Sequence, residues 1–143
     1  MQQEEKQRLF ASLSVSATTK TKLAEIQETL VTLNKAQTIR WQPQPHMHIT
    51  VRFLGNVPVN EIPLLKQSLD QVAQSIPSFE LGLSHVESIP PGDSTRILWV
   101  RPKGDGDTLT KLIQSAEVAL GEFGDYQPRD ASIPHITIGR RRK

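Results

Sequence analysis

The chain has 143 residues, of which 36% are hydrophobic and 22% are charged, a composition typical of an ordinary globular domain. It contains no cysteine, so disulfides, thiol catalysis and thiolate metal ligands are excluded, and its formal net charge of +2 is too small to indicate a nucleic-acid partner by itself. No apolar run reaches membrane-spanning length. We therefore expect a single domain over residues 1–143, a cytoplasmic location and no membrane association.

Hydrophobic periodicity predicts, in chain order, a strand, a helix, a strand, a helix, two strands, a helix and a final strand. The strands are expected at residues 8–15, 48–54, 79–86, 97–100 and around 135–138, and the helices at 18–34, 60–76 and 108–123. Thr18 or Thr19 is the expected cap of the first helix, and Asn60 that of the second. Residues 36–45, which include two prolines, are predicted to form an irregular loop. This order favours an α+β fold, in which helices pack outside an antiparallel sheet.

One three-residue pattern occurs twice, as His48-Ile49-Thr50 and as His135-Ile136-Thr137, and the two histidines are 87 positions apart along the chain. Side chains two residues apart in a strand share a face, so each copy should turn its histidine and threonine to one side and its isoleucine into the core. We therefore predict two pseudo-equivalent lobes of antiparallel sheet flanked by outer helices. A central cleft between them would be lined by the two His-x-Thr strands.

A single copy of this pattern would be a weak signal, because a lone strand histidine is more often a hydrogen-bonded structural residue. Two copies, each entered from a proline and embedded in aliphatic residues, favour a shared chemical role. A metal site is the sharpest alternative, since His46, His48 and His135 could be ligands, but no aspartate or glutamate lies beside them in sequence. We expect His46 to lie in a loop and His85 to be structural or exposed.

Four ordered segments then resemble a known family: Arg8-Leu9-Phe10, the run from His48 to Gly55, Arg96-Ile97-Leu98-Trp99-Val100, and Pro134-His135-Ile136-Thr137 with Arg140 after it. The chain resembles the two-histidine phosphoesterases, and among them the RNA 2′,3′-cyclic phosphodiesterases, also called 2′-5′ RNA ligase-like proteins. The resemblance spans nearly the whole chain. Members of this family usually continue for a few strands past the second motif, so we expect those C-terminal strands to be lacking here and a sheet edge to be open.

The resemblance implies hydrolysis of a 2′,3′-cyclic phosphate end to a 2′-phosphate, with His48 as the proton donor and His135 as the proton acceptor. One neutral and one protonated imidazole suit this chemistry near pH 7 without a metal or other cofactor. Thr50 and Thr137 stand beside the histidines, where their hydroxyls could donate to the phosphoryl oxygens. The expected partner is RNA with a cyclic phosphate end or a related nucleotide.

Two further residues are substrate-binding candidates. Arg140 could contact phosphate or stack on a base, and Phe53, at the matching offset of the first motif, could stack on a nucleobase. Strict alternation would point both away from the histidines, so each role requires a bend, at Gly139 or near Gly55. For Phe53 we favour packing in the core.

Other functions remain open at this point. The chain could be a non-catalytic module that binds RNA ends or nucleotides. It could also be a phosphodiesterase acting on a small cyclic nucleotide or on ADP-ribose cyclic phosphate, since all these ligands carry the same five-membered phosphodiester. Reversible 2′-5′ RNA ligation, the reverse of the same chemistry, could accompany hydrolysis.

Overall fold

The structure, a computed structural model, describes residues 5–33, 38–104, 106–127 and 133–142. The chain divides into two compact units. The first unit comprises Met1–Ser12, Thr50–Leu81 and Gly104–Ile133, and the second comprises Leu13–Ile49, Gly82–Lys103 and Pro134–Lys143. Both copies of the His-x-Thr pattern begin in the second unit.

The strands and helices follow the order predicted from the sequence, with one additional strand. The strands are β1 (Lys6–Ser14), β2 (Ile39–Trp41), β3 (His48–Pro58), β4 (Leu81–Ile89), β5 (Ile97–Gly104) and β6 (Ile136–Arg141), and the helices are α1 (Ala17–Leu33), α2 (Ile62–Ser75) and α3 (Gly106–Leu120). Strand β6 pairs antiparallel with β2, β3 and β5. The predicted α+β class is therefore confirmed. Within the described residues, no helix is long and apolar enough to cross a membrane.

The second unit is built around β6. This strand pairs with β5 along one edge, and with the start of β3 and the whole of β2 along the other. Its core contains Ile49, Val100, Ile136 and Ile138, which are almost completely buried. Helix α1 is tied to this sheet by Gln27, whose amide Nε2 donates hydrogen bonds of 2.9 Å to the backbone oxygens of Gln42 and Ile138.

The segment predicted to be an irregular loop contains strand β2, so that prediction is wrong for residues 39–41. Tertiary pairing overrides the local loop signal, because Ile39, Arg40 and Trp41 are each registered against a residue of β6. Gly139 makes this pairing possible: a Cβ atom at that position would lie 2.7 Å from Ile39 Cγ2 and 3.3 Å from a ring carbon of Trp41.

The predicted helix caps are also wrong in detail. Ser16, rather than Thr18 or Thr19, caps α1, since its Oγ accepts a hydrogen bond of 3.2 Å from the backbone N–H of Thr19. Asn60 lies inside a short 3-10 turn, Val59–Glu61, and α2 follows without a side-chain cap.

The first unit packs α2 and α3 with β1 and the longer part of β3. The apolar spacing of the third predicted helix indicates a buried face, and its residues are all buried except Ile113, which is half-buried: Leu109, Leu112, Ile113, Ala116, Leu120 and Phe123. Beyond β3, the Asp125 carboxylate accepts hydrogen bonds from the backbone N–H of Asn56 at 2.8 Å and from its side-chain amide at 3.2 Å. These bonds hold the pKa of Asp125 below its ordinary value and stabilise the part of β3 beside Gly55, whose φ is +71°.

Candidate active site

The pairing of β3 with β6 determines where the two histidines lie. The Cα atoms of Ile49 and Ile136 are partners across this antiparallel pair, and each isoleucine is only 1% exposed. His48 and His135 each precede one of these isoleucines, so their side chains leave the opposite face. Antiparallel directions make the two histidines diagonal neighbours, for which separations of about 7–8 Å are usual, somewhat less between the Cβ atoms. That gap is wide enough for one phosphate group.

Both threonines stand beside the histidines in the strands. The same register puts Thr137 directly opposite His48, and both residues are half-buried. Thr50 follows two residues after His48 in β3 and is also half-buried, although it already belongs to the first unit. His48, His135 and Thr137 thus share one face of the second unit.

His48 is oriented by the backbone just before it. Its ring Nδ1 lies 2.7 Å from the carbonyl oxygen of His46, at the end of the 3-10 turn Gln44–His46. A carbonyl can only accept, so Nδ1 carries the proton and donates it to this oxygen. Any exchange of a proton between this ring and a substrate would therefore take place at the other nitrogen, Nε2.

The ring of His135 lies against an aromatic ring of strand β5. The imidazole stacks on the indole of Trp99, with ring centroids 4.0 Å apart and planes inclined by 26°. Trp99 stands on β5 directly opposite Thr137. Alternation puts residues 97, 99 and 101 of β5 on one face, but the neighbour that Trp99 covers depends on the register of β5 with β6, so no local signal marks this contact.

Glu87 on β4 holds that tryptophan in place. Its Oε1 accepts a hydrogen bond of 3.1 Å from the indole Nε1–H and lies 3.4 Å from Nη1 of Arg101. The hydrogen bond from Trp99 is the main cause that lowers the pKa of Glu87 from its ordinary value of 4.5, and Arg101 and His85 lower it further. Glu87 is therefore ionised at neutral pH and balances the charge of Arg101.

A β-bulge re-aims Arg140. On β5, Leu98 is registered against Gly139 whereas Trp99 is registered against Thr137, so Ile138 is an extra residue on β6. The extra residue reverses the alternation, and Arg140 emerges exposed on the face that carries Thr137. The bend that its predicted role requires is thus present, one residue before the expected Gly139.

Phe53 lies in the first unit and is 48% exposed, so the interpretation that favoured core packing is wrong. The reason is a change of phase in β3: Val51 and Arg52 are consecutive and both buried, which turns the next side chain outward. Phe53 forms an exposed aromatic group with Phe10 and Tyr126, at centroid distances of 6.1 Å and 5.5 Å.

The two remaining histidines lie where they were expected. His46 ends the 3-10 turn before β3 and is exposed. His85 is 58% exposed and lies 2.8 Å from the Ser84 hydroxyl. In the part of the chain that the structure describes, no three histidine, aspartate or glutamate side chains are grouped so as to hold a metal ion.

Known proteins are similar to this chain in sequence and in fold. The model of the family described as LigT-like phosphoesterase matches residues 13–99. The chain is 27% identical over 133 residues to the RNA 2′,3′-cyclic phosphodiesterase of Methanocaldococcus jannaschii, and 29% identical over 133 residues to the protein of that name from Thermotoga maritima. Each alignment covers 93% of this chain and 70% or 69% of the relative.

Solved structures show the same architecture. Escherichia coli LigT in complex with 3′-AMP superposes with a TM-score of 0.74 at 22% identity, over 95% of this chain and 74% of that one. The protein TT0787 of Thermus thermophilus gives a TM-score of 0.73 at 22% identity, over 94% of this chain and 74% of that one. At this identity the likeness concerns the fold. Because the family model matches more than half of the chain, the protein belongs to the LigT-like phosphoesterase family, which confirms the predicted resemblance to the two-histidine phosphoesterases and the predicted class of phosphodiesterase enzyme.

Proposed function

We propose that this protein hydrolyses the 2′,3′-cyclic phosphate ends of RNA to 2′-phosphates by acid–base catalysis with His48 and His135. The single observation that carries the proposal is the pairing of Ile49 with Ile136, since it makes the two histidines diagonal neighbours on one face. The relatives from Methanocaldococcus jannaschii and Thermotoga maritima bear the name of this activity, which supports the choice of substrate. We also propose a cytoplasmic location for this activity on RNA ends.

The reaction requires one water and two proton transfers. His135 accepts a proton from water as its oxygen forms a bond to phosphorus, and the bond from phosphorus to O3′ breaks. His48 donates the proton of its Nε2 to the departing O3′, so the products are a 2′-phosphate and a 3′-hydroxyl. A base and an acid on opposite sides of phosphorus allow in-line displacement, and diagonal neighbours in a sheet are suited to this arrangement.

Hydroxyl donors stabilise the charge on the phosphoryl oxygens in this proposal, and an arginine on the same face binds the substrate. Thr137, opposite His48, and Thr50, two residues after it, each supply a hydroxyl. Arg140 supplies a guanidinium to the same face because of the bulge at Ile138. The exposed ring of Phe53 offers a surface on which a nucleobase can stack.

The test is incubation of the purified protein with a short oligoribonucleotide that ends in a 2′,3′-cyclic phosphate, in excess EDTA. We expect complete conversion to a 2′-phosphate end, which resists a phosphatase specific for 3′-phosphates. Loss of activity in EDTA with recovery on adding zinc or manganese would mean that a metal ion performs the chemistry.

The other candidate functions give different outcomes in the same assay. A binding module would retain the oligonucleotide without converting it. An enzyme for small cyclic nucleotides would convert adenosine 2′,3′-cyclic phosphate or ADP-ribose cyclic phosphate and leave the oligonucleotide intact. Reverse ligation would appear as a longer 2′-5′-linked product when an acceptor with a free 5′-hydroxyl is added.

A further inference from the structure

Two arginines face each other across strands β2 and β6. Arg40 and Arg140 are registered as direct partners in this antiparallel pair, and both side chains are exposed. Like charges directly opposite each other in a sheet destabilise it. Among the described residues, neither arginine forms an ion pair with a carboxylate, whereas Arg101 on the same unit is balanced by Glu87 at 3.4 Å. This pair therefore concentrates positive charge at one point of the sheet.

The arginine pair lies on the face that carries the histidines. Ile39 and Trp41, the neighbours of Arg40 in β2, turn to the opposite face, where a Cβ atom on Gly139 would meet them. Arg40 consequently lies on the same exposed face as Arg140. Because of the bulge at Ile138, Thr137 lies on that face as well.

The register of β6 against β5 gives the distance between the arginines and the proposed reaction centre. Arg140 is registered against Ile97, and Thr137 against Trp99, two residues farther along. Two residues of a strand span about 6.6 Å. This distance is comparable with the reach of one ribose between its 5′ and 3′ oxygens, so a nucleotide with its cyclic phosphate beside Thr137 can bring its 5′-phosphate to the arginines.

We propose that Arg40 and Arg140 together bind a second phosphate, the 5′-phosphate of the nucleotide whose 2′,3′-cyclic phosphate is cleaved. The inference rests on the proposed function. It narrows the substrate class to cyclic phosphate ends whose last nucleotide carries a 5′-phosphate. In an RNA chain, this is the phosphate that joins the last nucleotide to the one before it. Guanidinium groups bind phosphate through paired N–H donors, and two of them on one face suit a dianionic or bridging phosphate. Anion binding also relieves the repulsion between the two arginines.

The test compares two small substrates that differ in one phosphate: adenosine 2′,3′-cyclic phosphate and its 5′-phosphorylated form. Arg40→Gln should lower kcat/KM for the 5′-phosphorylated substrate by about ten- to a hundredfold, mainly through KM, because one charged hydrogen-bonding partner is lost. The substrate with a free 5′-hydroxyl should be converted at an unchanged rate. Lys22→Gln, on the exposed side of α1, removes the same charge elsewhere and should affect neither substrate.

The remaining outcomes test the phosphate subsite and the proposed function separately. An equal effect of Arg40→Gln on both substrates, or none on either, would overturn the subsite. A drop in its melting temperature would indicate a structural role, since removing one of two facing positive charges should leave the sheet as stable or more stable. If the wild-type protein converts neither substrate, the proposed function fails on its own. Calorimetric binding of adenosine 5′-monophosphate against adenosine then tests the subsite, which requires a preference for the phosphate that Arg40→Gln abolishes.

Discussion

Trp99 stacks on the ring of His135 and supports it from one side. The imidazole lies 4.0 Å from the indole, and Glu87 holds the indole N–H at 3.1 Å. We expect Trp99→Leu to lower kcat by up to about a hundredfold with a smaller change in KM, because a small misplacement of a reacting group is enough for such a loss. Trp99→Phe should recover part of the rate, since it restores a stacking ring.

Steady-state kinetics with the oligoribonucleotide separate this positioning role from a structural one. The melting temperatures of both variants would be measured beside the rates. If Trp99→Phe were as slow as Trp99→Leu, or if the loss of rate only followed a loss of folded protein, Trp99 would not act through His135.

Glu87 should make the stability of the protein depend on pH. Its pKa in the folded protein is lowered from 4.5, mainly by the hydrogen bond from Trp99. The stabilisation is therefore fully present above the ordinary pKa and is lost as pH falls through the lowered one. We expect Glu87→Gln to be less stable than the wild type at pH 7 and to approach it in acid, as measured by urea unfolding across this range. A difference that does not change with pH would contradict the assignment.

A site residue can be predicted from the sequence when the pattern that marks it lies within a few neighbouring residues. The two His-x-Thr copies are short patterns that mark a strand face directly, and the structure does turn His48, His135 and Thr137 to one face. The exposure of Phe53 could not be foreseen, because it depends on the change of phase between two consecutive buried residues. The contact of Trp99 with His135 depends on the register of two strands that are distant in sequence.

At the scale of elements, the bulge in β6 is the feature that turns Arg140 to the face of Thr137. Gly139 follows the bulge, and a Cβ atom there would meet Ile39 at 2.7 Å. We expect Gly139→Ala to destabilise the protein by about 1–3 kcal/mol, the usual cost of overpacking, and to reduce turnover by displacing Arg140. Both effects would be measured by urea unfolding and by hydrolysis of the cyclic phosphate end.

Gly82→Ala provides the matched control for this substitution. Gly82 also lies in a strand, β4, but a Cβ atom there would meet only the Lys103 side chain at an ordinary 3.5 Å. We expect this variant to be as stable as the wild type or slightly more stable. Equal destabilisation of both variants would show that loss of glycine, and not crowding against β2, is responsible.

Elements with strong periodicity were predictable and elements formed by long-range pairing were not. Helix α3 shows the predicted buried face because its apolar spacing is a local property. Strand β2 has only three residues and precedes Pro43 and Pro45, so its local signal is that of a loop. It becomes a strand through its pairing with β6, and this pairing also places Arg40 opposite Arg140.

At the scale of the whole molecule, the order of the elements was enough to predict the α+β class, and the motifs were enough to predict the family. The division of the chain into two compact units was not visible in composition, since no linker of low complexity separates them. Each unit is assembled from three separate segments of the chain. Such interleaving depends on which strands pair, and no local pattern encodes that choice.

The most direct test of the central claim, that His48 and His135 act as one acid–base pair, is single-turnover hydrolysis of an oligoribonucleotide with a 2′,3′-cyclic phosphate end. His48→Ala and His135→Ala should each slow the reaction by about a hundred- to ten-thousandfold, since each removes one of two proton transfers in the same step. The double variant should be hardly slower than either single variant, because residues that act as a unit are far from additive. A His48→Ala protein that keeps near-normal turnover, or losses that simply multiply in the double variant, would contradict the account.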